Sequence, residues 1–75
     1  MSKVPMRYAI VIEEAGSNYS AYVPDLPGCI ATGGTIEETE REICTAIEFH
    51  LKGLQADNLP VHTASSRVDY VEVAA

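Results

Sequence analysis

Between positions 6 and 13 the apolar side chains Met6, Tyr8, Ile10 and Ile12 alternate with Ala9 and Val11, which are also apolar. Both sides of an extended segment are therefore oily, the pattern of a central strand covered on each face. Turn-forming residues at 14–18 lead into Tyr19, Ala21, Tyr22 and Val23, so the first 23 residues read as an antiparallel hairpin. A third strand is expected over about 29–33. From Ile36 the apolar positions Ile43, Ala46, Ile47, Leu51 and Leu54 recur at helical spacing, and the helix should fray over 53–58, before Pro60. Residues 67–73 alternate again and predict a last strand, with Val68 and Tyr70 on one side and Val71 and Val73 on the other. The order is βββαβ, an α+β domain in which one main helix packs on one face of an antiparallel sheet.

The joints between these elements carry the most specific chemistry. In Tyr22-Val23-Pro24-Asp25-Leu26-Pro27-Gly28-Cys29-Ile30 two prolines fix the backbone, and Gly28 can take a positive φ that a side chain would resist, so this connection is rigid and sharply bent. Thr35 followed three residues later by Glu38 fits a capping box, which starts the helix at Ile36. Glu37 with Arg41, and Glu48 with Lys52, stand four apart on its solvated side as favourable ion pairs.

One helix dries only one face of a small sheet. The strands set Ala9, Val11, Val71 and Val73 opposite the group led by Tyr8 and Ile10, and bare apolar area stabilises association by about 25 cal/mol per Å² buried. A homodimer or higher even oligomer is the expectation, with Ala9, Val11, Val71 and Val73 as its interface.

Length and charge narrow the function classes. Seventy-five residues leave room for one domain, expected over 1–75 with its core within about 6–73, and a C-terminal DNA-binding domain is not expected. Eleven acidic against five basic side chains give a net charge of -6, which repels phosphate backbones and suits a basic protein partner better than nucleic acid. The longest apolar run, 8–12, is far below the roughly 20 residues of a membrane span, and no secretory leader pattern is present, so the expected location is the cytoplasm.

Catalytic and metal-binding readings fit poorly. Cys29 and Cys44 lack the close pairing of metal sites, His50 points away from Cys44 on the helix, and His62 is isolated, so free thiols and no cofactor are expected. Two-metal hydrolysis needs converging carboxylates. Glu13 and Glu14 are neighbours that point to opposite faces of a strand, Asp25 sits in the turn, and Glu38 belongs to the helix cap. Gly33 and Gly34 precede a helix without the lysine of a phosphate loop, and serve more simply as a bulge or a tight strand-to-helix turn. At the proline turn, Asp25 either braces its own loop or projects toward a cationic partner, Leu26 either folds back onto the core or meets another chain, and Tyr22 is either core or anchor.

The turn at 22–29, joined at this distance to Gly34-Thr35-Ile36-Glu37-Glu38 and followed by Ala46-Ile47 and His50-Leu51, resembles the HicB-like antitoxin family over about 7–60. The resemblance implies a partial RNase-H-like fold and a non-enzymatic protein that binds and neutralises a HicA-like mRNA-cleaving toxin, itself small and basic. Under that reading Tyr22, Pro24, Asp25, Leu26 and Pro27 are the candidate partner-binding residues. Two other outcomes are an oligomeric regulatory or structural protein without a toxin, and a residual metal-dependent nuclease. Many relatives continue into a DNA-binding domain, whereas this sequence stops at Ala75. Thr39 stands where alanine is common.

Overall fold

A computed structural model describes residues 6–74. It contains three strands and one helix: β1 (Val11–Ala15), β2 (Asn18–Tyr22), β3 (Ile30–Gly33) and α1 (Ile36–Ala56). The sheet is antiparallel and open, in the order β1-β2-β3. This is the α+β arrangement expected, with two differences in the strands.

β2, not the first strand, is central. Val11 pairs with Tyr22 and Ala15 with Asn18, and the ladder ends there because β2 runs next into Pro24, which has no N–H to give. Residues 6–10 pass beyond the end of their partner, so the apolar stretch at 6–13 enters the sheet only from Val11 and lies at its edge. The expected strand at 67–73 is not formed either, for no ladder reaches those residues. They trail past the sheet with Tyr70, Val71 and Val73 at 96%, 83% and 82% exposure. Strand-like composition does not make a strand without an edge in register with it.

The register sorts side chains between two faces. Ile12, Ala21 and Ala31 share the face toward the helix, and Val11, Tyr22 and Ile30 form a row on the other. The core is small. Ala21, Val23, Leu26, Cys29 and Ile43 are buried, with Tyr8, Ile10, Ile12, Ala31, Ala46, Ile47 and Leu51 packed around them. Burying Leu26 or Ile43 stabilises the fold by about 1.5–3 kcal/mol each.

α1 begins as its cap dictates. Thr35 is extended and its hydroxyl accepts from the Glu38 N–H at 3.0 Å. Among the described residues only this half of the capping box is made. Thr39 is fully buried, and its hydroxyl donates to the Thr35 carbonyl at 2.7 Å, which satisfies it inside the first turn. The helix presses so closely on β3 that a Cβ on Gly33 would lie 2.6 Å from Thr39 Oγ1 and 2.8 Å from its backbone nitrogen. Glycine at 33 is thus required by close approach, the tight strand-to-helix turn anticipated. At the far end Asn58 takes a left-handed conformation and the Leu59 N–H turns back to the Leu54 carbonyl at 2.8 Å, closing the helix as a Schellman-type cap. The ion pair found among the described residues is Arg67 with Asp69 at 3.1 Å, on the exposed segment. The pairs expected on the helix are not made.

Candidate functional site

The proline turn is two β-turns in series. The Leu26 N–H donates to the Val23 carbonyl at 3.1 Å, and the Cys29 N–H to the Leu26 carbonyl at 3.1 Å. Each proline occupies the second position of its turn, where its fixed φ is already correct. Gly28 has φ of +84°, as the third position of a type II turn requires. A return bond from the Val23 N–H to the Cys29 carbonyl, 3.3 Å, clips the base shut. The result is a rigid loop with Leu26, 0% exposed, folded into the core.

Asp25 is neither a local brace nor a free acid. Its carboxylate accepts four hydrogen bonds from residues 40 and 41 positions away: the Ser65 and Ser66 N–H groups, both at 2.9 Å, and their hydroxyls at 3.1 and 2.8 Å. The bonds from Ser66, then the Ser65 N–H, hold its pKa at about 2 against a small opposing desolvation. A second tie lies nearby, where the Tyr8 hydroxyl donates to the His62 carbonyl at 2.6 Å. Slight burial, then the negative charge of Asp25, pushes the Tyr8 hydroxyl above its ordinary pKa. These contacts fix the start of the C-terminal segment to the body of the domain. Ser65 and Ser66 carry no signal of this role in a linear sequence, because the contact depends on how the chain returns after α1.

Of the five candidate partner-binding residues, Leu26 faces the core and Asp25 faces the C-terminal segment. Tyr22, Pro24 and Pro27 are left exposed. Tyr22 stands beside Ile30, which is 71% exposed, on the outer face of the sheet. Of the four candidate interface residues, Val11 joins that outer row half-buried, Ala9 is half-buried in the chain before it, and Val71 and Val73 are exposed. A cleft of about 470 Å³ lies between Arg7, Tyr8 and Ala9 on one side and Ser66, Arg67 and Val68 on the other, so the C-terminal segment starts beside the stretch that leads into β1.

The acids do not converge. Glu13 pairs with Ser20 on the outer face and Glu14 with Tyr19 on the inner one, while Asp25 is engaged by the two serines. Among the described residues no group of three or more His, Cys, Asp or Glu is placed to hold a metal ion. Cys29 and Cys44 are free thiols, the first buried and the second exposed. Burial raises the Cys29 pKa, and a hydrogen bond to the Glu48 carboxylate raises that of Cys44. Neither is tuned to be a nucleophile at neutral pH. No helix among the described residues is long and apolar enough to cross a membrane.

This arrangement of turn, sheet and helix has relatives. The family described as HicB_like antitoxin of bacterial toxin-antitoxin system matches residues 8–74. A UPF0150 protein of Helicobacter pylori is 47% identical over 49 residues, covering 65% of this chain and 68% of the relative. A UPF0150 protein of Synechocystis is 38% identical over 55 residues, covering 72% of this chain and 70% of the relative. An uncharacterized 14.9 kDa protein of Haemophilus phage HP1 is 40% identical over 53 residues, 71% of this chain, which spans only 40% of that protein. Among solved structures, a chain of the HicA3 and HicB3 toxin-antitoxin complex superposes with a TM-score of 0.69 at 23% identity, covering 80% of this chain and 70% of that one. At that identity the structural likeness speaks for the fold.

Proposed function

This chain belongs to the HicB-like antitoxin family, and from that membership we propose that it is a non-enzymatic cytoplasmic binding protein that neutralises a HicA-like mRNA-cleaving toxin by covering the surface on which RNA is cut. The observation that carries this reading is the family match over residues 8–74, nearly the whole described chain. Charge supports it. The chain has a net charge of -6, and Glu37, Glu38, Glu40, Glu42 and Glu48 all stand exposed on α1 against Arg41 and Lys52. A nuclease that holds RNA needs a basic surface, and an acidic protein approaches such a surface faster and competes with the phosphate backbone for it.

Self-association fits the same molecule. Among the described residues no element packs over the outer row Val11, Tyr22 and Ile30, and Val71 and Val73 are exposed on the C-terminal segment, so a second copy would bury both. The test of the antitoxin reading is co-expression with a small basic HicA-like protein, sought first in the reading frames adjacent to the one that encodes this chain. The two should purify together, and growth arrest caused by the basic protein alone should be relieved. Arrest that persists with this chain in excess would overturn the reading.

A further inference from the structure

Two rows of side chains run along α1 at spacing i, i+4. Ile43, Ile47 and Leu51 form one, and Glu40, Cys44 and Glu48 the other. Facing the apolar row across an open groove of about 510 Å³ stand Met6, Tyr8 and Ile10, in the stretch that runs beyond the ladder. Ile43 is buried at the bottom, whereas Tyr8, Ile10, Ile47 and Leu51 are only half-buried, so apolar area here is left open to solvent. The charged groups lining the groove are Glu40 and Glu48, both acidic. Their positions on the helix are eight residues, or about 12 Å, apart along its axis.

We propose that this groove seats a basic amphipathic helix of the protein's partner, whose apolar ridge covers Ile47 and Leu51 while two cationic side chains about two turns apart meet Glu40 and Glu48. The proposal rests on the antitoxin reading for the identity of that partner, but its chemistry comes from the groove. A nucleic acid is repelled by the two carboxylates and by a net charge of -6. A second copy would bring acids of its own against the same rim, and like charges set face to face oppose assembly. A helix fits the shape because its own i, i+4 ridge packs into the channel between two such rows. The proline turn does not compete for this role, since its apolar tip is already in the core.

Cys44 lies in the rim between the two glutamates, its thiol donating to Glu48 Oε1 at 3.5 Å, and it reports occupancy; buried Cys29 is the internal control. The experiment uses the full chain and a synthetic helical peptide of about 14 residues, or four turns, with leucines at i, i+4 and i+7 and arginines about two turns apart on one flank. A matched peptide carries glutamates in place of the arginines. The basic peptide should bind and slow alkylation of Cys44 by about tenfold or more, with Cys29 unchanged, and the acidic peptide should do neither. In the E40K/E48K double variant the preference should reverse, the acidic peptide now protecting Cys44. Binding without protection, equal protection by both peptides, or an unchanged preference in the variant would overturn the groove assignment. So would protection that rises with protein concentration alone, which marks a contact between copies. No toxin enters this assay, so its failure leaves the antitoxin reading standing. Conversely, a peptide seated as described beside a toxin that this chain does not inhibit would sink the antitoxin reading and spare the groove.

Discussion

The turn at 23–29 and the segment at 67–74 have opposite fates although both look assertive in sequence. The turn is made of residues that ordinarily lie on surfaces, yet it is locked, with three backbone bonds across it and Leu26 wholly inside. The segment is made of residues that ordinarily lie in sheets, yet it joins no ladder among the described residues, and Tyr70 is 96% exposed. Proline and Gly28 settle conformation within a few residues, whereas a strand needs a partner edge at the right height. A chain this short has little to spend on such an edge. What it keeps rigid is the scaffold, and what it leaves bare is the surface another polypeptide can cover.

The largest effect should come from the turn. Leu26→Ala removes a fully buried side chain and should cost about 2–5 kcal/mol, much of the stability of so small a domain, read as a shift in the urea midpoint. A midpoint moved by less than a tenth of the transition's range would contradict the account of the turn as part of the core. Next is the close approach behind it. Gly33→Ala should cost about 1–3 kcal/mol, and adding Thr39→Ala should not restore it, because the backbone of residue 39 is also in the way. Full rescue would show that only the hydroxyl mattered.

Asp25 joins the two regions, and removing it should separate them. In Asp25→Ala the amides of Ser65 and Ser66 should exchange with solvent much faster while the sheet amides keep their protection. Acid should do the same. The carboxyl is held at about 2 in the folded protein against an ordinary value near 3.9, so its contribution is complete above roughly pH 4 and lost as pH falls through 2. Exchange at Ser65 and Ser66 that ignores pH over that window would count against the tie. Smallest of all should be the effect of Val71→Lys with Val73→Lys on the isolated chain, within about 0.5 kcal/mol, since neither side chain is buried. The same pair should weaken self-association in sedimentation if those residues form the interface.

The parts legible in the sequence are those decided locally. Thr35 and Glu38 start the helix where they should, Gly28 and the prolines shape the turn, and the helix ends where Asn58 and Pro60 suggest. Three features resist such a reading for one physical reason, that each depends on distant pairing. β1 begins only at Val11 because β2 stops before Pro24, a fact about the partner and not about residues 6–13. Ser65 and Ser66 matter because the chain comes back past Asp25 after some forty residues. Phe49 of α1 and Ile30 of β3, both exposed, border one shallow pocket only because β3 lies beside the helix. The apolar row on α1 is legible as spacing, but the groove beside it exists only because residues 6–10 stand across from it.

Whether the exposed surfaces of this protein serve to disarm a ribonuclease is decided by RNA cleavage in vitro, with a small basic HicA-like toxin as the enzyme and this chain as the titrant. Cleavage that falls to background near equimolar ratio, and returns when this chain is unfolded by Leu26→Ala, is the expected result. Undiminished cleavage at a large excess of the folded chain would contradict the account.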